Sequence, residues 1–214
     1  MVIKGYIQGY DGQALTIVAP FDDDYILQRR SITECELRLN DGRIISVDQR
    51  KKVYATMRDI SSWSGHVCDE IKAYMKYDFI AKTGCEYFSL SDCSMTMARE
   101  FLEFLIEFCI EHDVPTDESL LERSPDISRY IYCCIMNKKC CLSGRKAELH
   151  HVDAVGAGRN RKEIVHKGMR VLPLSRKFHT EAHTVGIETF CSKYHVFGIK
   201  LDDYLCEVWG LKES

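Results

Sequence analysis

His150 and His151 stand side by side after a short apolar alternation, Ala147-Glu148-Leu149, and His179 and His183 follow in the run Phe178-His179-Thr180-Glu181-Ala182-His183. On a helix, positions i and i+4 share one face about a turn apart, so His179 and His183 can hold one metal ion. On a strand, successive side chains point to opposite faces, so one member of the adjacent pair can complete such a site while the other stays free as a base. An imidazole with its ordinary pKa of about 6.5 can take a proton from water near neutral pH. Three imidazoles with open positions beside them describe a catalytic metal centre rather than a structural one. A base for water and a Lewis acid for the charge on a phosphate and its leaving oxygen are what metal-assisted phosphodiester hydrolysis needs. The competing reading is a purely structural zinc site, which has no use for a fourth, spare histidine.

At these residues the chain resembles the HNH, or ββα-metal, nucleases, most of all those encoded by bacteriophages. The Glu148-Leu149-His150-His151 with its later His-x-x-x-His is also similar to the colicin-type DNases. The resemblance implies DNA as substrate and one divalent metal ion held by His150, His179 and His183, with His151 as general base and Glu148 orienting the site. Imidazoles suit zinc or nickel, whereas magnesium prefers oxygen ligands, and manganese completes the set of candidate ions. Arg170 occupies the position where the family usually has an Asn that braces the loop, and is placed in the catalytic set on that ground. Many relatives also carry two Cys-x-x-Cys pairs that build a structural zinc site. Here the matching positions read Cys141-Leu142-Ser143-Gly144 and Leu174-Ser175-Arg176-Lys177, so Cys140 and Cys141 lack partners and one metal is expected.

The formal net charge of −3 hides an asymmetry. From Asn137 to Lys200 there are 13 Lys and Arg against 5 Asp and Glu, and the remainder holds 16 against 27. A basic module around a metal site fits a polyanion, whose binding would be salt-sensitive through counter-ion release. Within it, Arg159, Arg161, Lys162, His166, Lys167 and Arg176 are the candidate nucleic-acid contacts. Gly156-Ala157-Gly158-Arg159-Asn160-Arg161-Lys162 reads either as a phosphate-binding loop or as a flexible surface connection. A lone histidine on an apolar face is more often a satisfied core residue, and His66, His112 and His195 are read so.

Eleven cysteines at irregular spacing, several inside apolar helix patterns, suit free thiols in a reducing compartment. No apolar run is long enough to cross a membrane, and the N-terminus lacks the pattern of a signal peptide, so a cytoplasmic protein is expected, in a bacterial host if phage-encoded.

In order, residues 2 to 18 read as a β-hairpin around Asp11-Gly12, and residues 34 to 46 repeat the pattern around Asn40-Asp41-Gly42, making 1–45 a β-rich unit. Asp22-Asp23-Asp24 reads as a solvated loop. Residues 46–136 form a helical region, with starts at Ser46 and about residue 67, then a strong helix in which Met97, Phe101, Phe104, Leu105 and Phe108 share one face. Ser124-Pro125 reads as the start of another helix, Ser as cap and Pro in the first turn. Residues 137–214 form the ββα nuclease module with closing helices, so the class is α+β. The region from Ser46 to about His112 resembles the same phage nucleases and, in Asp48-Gln49-Arg50, Arg58-Asp59-Ile60 and Phe88-Ser89-Leu90, the Orf-type (NinB-like) phage recombination mediators. That second likeness implies dimerisation and a single-stranded DNA or single-stranded-DNA-binding-protein partner. It frames the alternative function, a non-catalytic mediator with a structural zinc module; the leading one is a metal-dependent DNA endonuclease in phage recombination or replication.

Overall fold

The computed structural model describes residues 5–21, 37, 43–153 and 165–212. The second expected hairpin, the Asp22-Asp23-Asp24 run and the glycine-rich basic run with Arg159, Arg161 and Lys162 lie mainly or wholly outside them. The first hairpin forms from β1 (Tyr6–Tyr10) and β2 (Leu15–Val18), antiparallel across a turn where Gly12 takes φ +100 and Asp11 Oδ1 accepts from the backbone N–H groups of Gln13 and Ala14.

The helical half is built on α1 (Val47–Ser64), α2 (Cys68–Thr83) and α3 (Met95–Glu111). Ser46 caps α1 as expected, and Gln49 returns the bond to the Ser46 backbone. Gly65 and Gly84 end α1 and α2 in the left-handed conformation that glycine adopts without a Cβ clash. The expected stripe on α3 is largely the core, since Phe101 and Leu105 are fully buried against Val53, Met57 and Ile60 of α1. Phe79 of α2 and Phe88 join Phe101 and Phe104 in edge-on and tilted ring contacts, with centroids 5.3 Å apart for Phe88 and Phe101.

Two corrections fall at the next helices. A short α4 (Leu120–Arg123) precedes α5 (Ile127–Met136), and α5 starts from Asp126 rather than Ser124. Ser124 already closes α4 with its backbone N–H, and its hydroxyl donates to the Asp126 carbonyl, while the Asp126 carboxylate accepts the Arg129 N–H that a cap must satisfy.

Charged groups fasten these helices. Arg123, 2% exposed, donates to Asp59 at 2.6 Å and to Thr56 at 3.3 Å, tying α4 to α1. Glu103, also buried, accepts from Arg99 at 2.8 Å and from Arg129 at 2.7 Å, tying α3 to α5.

The C-terminal sheet has the order β3 (Glu148–His151), β4 (Arg170–Leu174), β5 (Ile199–Lys200), all antiparallel, and is followed by or interleaved with α6 (Arg176–Val185), α7 (Ile187–Tyr194) and α8 (Asp203–Trp209). The β3–β4–α6 succession is the expected ββα unit, and the class is α+β. α5 packs on β4, β5 and α8, with Tyr130 donating to the Cys141 carbonyl and the Trp209 indole to the Ile135 carbonyl, both at 2.9 Å. Burial pushes the Cys133 thiol up to about 12 and raises those of Cys134 and Cys141, so these cysteines are apolar packing groups. His66, His112 and His195 are not core residues: all three are exposed at or just beyond helix ends, where polar rings keep their hydration.

Removing one member of a buried ion pair strands the other charge. Asp59→Ala is expected to lower the unfolding free energy by about 3–5 kcal/mol in urea titration, and a loss under about 1 kcal/mol would show that Glu118, 3.4 Å from the Arg123 Nε, or water compensates the charge.

Candidate active site

β3 and β4 pair with His150 opposite Leu172 and His151 opposite Val171. Leu172 and Leu174 are fully buried, which anchors β4 and fixes the pleat of β3 beside it. His150, 4% exposed, therefore turns inward to α6, where His179 and His183 stand a turn apart as expected. Ring centroids are 4.9 Å from His150 to His179, 4.7 Å to His183, and 5.0 Å between the two helix residues. One ligating nitrogen from each ring lies within 4.8 Å of the others, the sole such group among the described residues.

Glu148 directs this cluster from the strand. Its Oε2 sits 2.9 Å from His179 Nδ1 and accepts from Arg176 at 3.0 Å. With Nδ1 donating to the carboxylate, His179 keeps the lone pair on Nε2, the form a metal requires. The Arg176 and His179 contacts hold the Glu148 carboxyl below its ordinary range. Burial first, then the His179 and His183 rings, drops the His150 pKa to about 4, so this imidazole is neutral. Its Nδ1 is buried with no hydrogen-bond partner. A buried imidazole nitrogen left unpaired beside two further imidazoles can take a cation, so the residues fit a divalent ion.

His151 points to the other face, as alternation requires, and meets His166 with Nε2 3.0 Å from Nδ1. Burial, followed by the His166 ring, lowers its pKa. His166 is in turn held by backbone bonds to Lys212 and Met169. His166, read as a candidate nucleic-acid contact, thus also touches His151 directly.

The segment joining β3 to β4 is closed at its base. Arg170 donates through Nε and Nη2 to Asp153 Oδ1, at 2.9 and 2.7 Å, and its backbone N–H donates to Oδ2 at 2.7 Å. Arg170 thus meets Asp153, where the family's Asn would brace the loop. Opposite charges two residues past β3 and at the first residue of β4 are the sequence signal for this pair. Lys167 reaches Asp203 on α8 at 2.8 Å, and Arg176 is 82% exposed beside Glu148. The structure therefore brings together His150, His179, His183, Glu148 and Arg176, and places His151 with His166 on the other face of β3.

A family model described as "Putative HNHc nuclease" matches residues 22–212. The chain belongs to this HNH nuclease family. The match extends through the helical half as well as the ββα unit, so the likeness is not confined to the histidines. No curated protein and no solved structure matches the chain. HNH nucleases use one divalent metal, and the His150, His179 and His183 cluster of this nuclease offers a site for one. No helix among the described residues is long and apolar enough to cross a membrane.

Glu148→Gln keeps an acceptor but removes the charge that polarises His179. It is expected to weaken zinc binding about 10- to 100-fold in competition with a chromogenic chelator, and an unchanged affinity would remove Glu148 from the site.

Proposed function

We propose that this HNH nuclease is a metal-dependent endonuclease that hydrolyses phosphodiester bonds of DNA, with His150, His179 and His183 as ligands and His151 as general base. The observation that carries it is the division of the histidine pair. His150, whose buried Nδ1 has no partner, belongs to the cluster with the two helix histidines, while His151 stays outside it and meets His166.

A divalent ion in the cluster would act as a Lewis acid for the phosphate and neutralise charge on the leaving oxygen. Water attacks phosphorus as His151 removes its proton, and the P–O bond to the departing strand end breaks. For this, His151 needs a free lone pair. Nε2 is taken by His166, so the competent tautomer carries Nε2–H, donates it to His166 Nδ1, and presents Nδ1 as the base. His166 is thereby a positioning residue. Arg176 and the basic run with Arg159, Arg161 and Lys162 supply backbone contacts that position DNA without reading its sequence. Imidazole ligands favour zinc or nickel over magnesium, with manganese between. A role in phage recombination or replication rests on the sequence likeness.

The test incubates supercoiled, linear and single-stranded DNA with the chain and zinc, nickel, manganese or magnesium. Wild-type cleavage should disappear in chelator and in His179→Ala, and fall about 10²- to 10⁴-fold in His151→Ala with metal still bound. No cleavage of any DNA by metal-loaded wild type would sink the proposal and favour a DNA-binding mediator.

His166 is tested by the split between two replacements. His166→Ala should reduce kcat about ten-fold or more, and His166→Gln, whose carbonyl oxygen can accept the His151 Nε2–H, should recover much of it. Equal losses in both would show that His166 acts through packing alone.

A further inference from the structure

Arg50 lies in the first turn of α1, Lys72 and Lys76 stand one turn apart on α2, and residues 87–91 cross the space between the two helices. They line a cavity of about 290 Å³ that holds these three cations and no acidic side chain. The walls are fixed. The Ser46–Gln49 cap sets the start of α1, Gln49 donates to the Met95 carbonyl at 3.0 Å, and Ile45 bonds to Cys93 across the beginning of α3.

Among the described residues the three cations, Lys76 buried and Arg50 and Lys72 half-buried, find only partial compensation. Lys76 is 4% exposed, and its ammonium donates to the Phe88 carbonyl while standing 4.5 Å from the Tyr87 ring centroid and 4.8 Å from that of Phe88. Arg50 donates from Nη2 to the Ser91 carbonyl at 2.6 Å, but its Nε is buried without a partner. Lys72 sits 5.6 Å from the Tyr54 ring centroid. No carboxylate among the described residues pairs with any of the three. Cation–π contact offsets only part of the desolvation of an ammonium. An oxyanion with several acceptor oxygens satisfies the orphaned N–H and all three charges together. Beside them, Ser89 and Ser91 share a hydrogen bond at 2.8 Å, and Ser91 also donates to Asp92.

The rings narrow the choice of anion. Tyr87 is 70% exposed although Lys76 stands over its ring, leaving aromatic surface open at the mouth of the cavity. A base can lie on such a ring only when it is unpaired and unstacked from its own strand. We propose that this pocket binds single-stranded DNA, with a backbone phosphate among Arg50, Lys72 and Lys76 and a neighbouring base on Tyr87. The choice of DNA over other phosphate compounds rests on the nuclease reading; the pocket itself does not.

The test measures binding of a fluorescein-labelled oligothymidylate by anisotropy in chelator, using the full chain carrying His151→Ala so that no cleavage intervenes. Tyr87→Ala should weaken binding about ten-fold, Tyr87→Phe should hold it, and Lys72→Glu should weaken it and lower the salt slope by about one or more. Both positions are outside the core, and an unchanged thermal midpoint confirms that each variant folds. Binding of a duplex of the same length should be insensitive to Tyr87→Ala. Affinities within two-fold of the parent in Tyr87→Ala and Lys72→Glu would overturn the pocket. Displacement of the oligonucleotide by inorganic phosphate, with Tyr87→Ala silent, would overturn it in favour of a simple anion site. Cleavage is assayed separately: binding lost in the pocket variants without any wild-type cleavage sinks the nuclease reading alone, and cleavage with unaltered variant binding sinks the pocket alone.

Discussion

An imidazole nitrogen buried without a partner is the constraint around which the C-terminal half is arranged. Leaving such a group unsatisfied costs about 1–3 kcal/mol, and His150 carries that cost on a short strand. It is tolerable because everything around it is rigid: β4 contributes the fully buried Leu172 and Leu174, and the Glu148 carboxylate joins β3 to α6 through Arg176 and His179. A group this desolvated stays neutral, and a neutral imidazole is already the species a cation binds. The protein has thus done in advance the deprotonation that ligand binding otherwise requires.

The helical half handles charge in two contrasting ways. Arg123 with Asp59, and Glu103 with Arg99 and Arg129, are charges matched within the fold, and the Arg123–Asp59 and Arg129–Glu103 matches cross between helices. Matched pairs of this kind define which helix faces meet more than they add net stability. Arg50, Lys72 and Lys76 have no acidic match among the described residues. The described part of the fold that neutralises charge at those pairs offers these three only carbonyl oxygens and aromatic rings.

The sequence was most informative where chemistry depends on short-range spacing. The i, i+4 histidines, the alternation through His150 and His151, the Ser46 cap and the apolar face of α3 all follow from the period of one element, and each stands where that period puts it. It was least informative where two elements must meet. Nothing local marks His166 as the partner of His151, or Arg123 as buried against Asp59, because those contacts depend on how segments return through space. Ser124-Pro125 misled for a different reason: a sound capping signal had been used by the preceding short helix, and Asp126 took its place. The cysteines were legible as thiols but not as packing, since burial alone distinguishes them.

α5 belongs to both halves of the molecule. Its Arg129 bonds to Glu103 and Glu107 on α3, while Ile135 accepts from Trp209, Tyr130 holds the turn before β3, and the helix packs on β4. A helix shared in this way has no separate melting of its own: to open it, contacts on both sides must be given up together. Free energy that an ion bound at the histidines would deliver would therefore be felt in α3 as well as in β4, and would rise with the logarithm of ligand concentration.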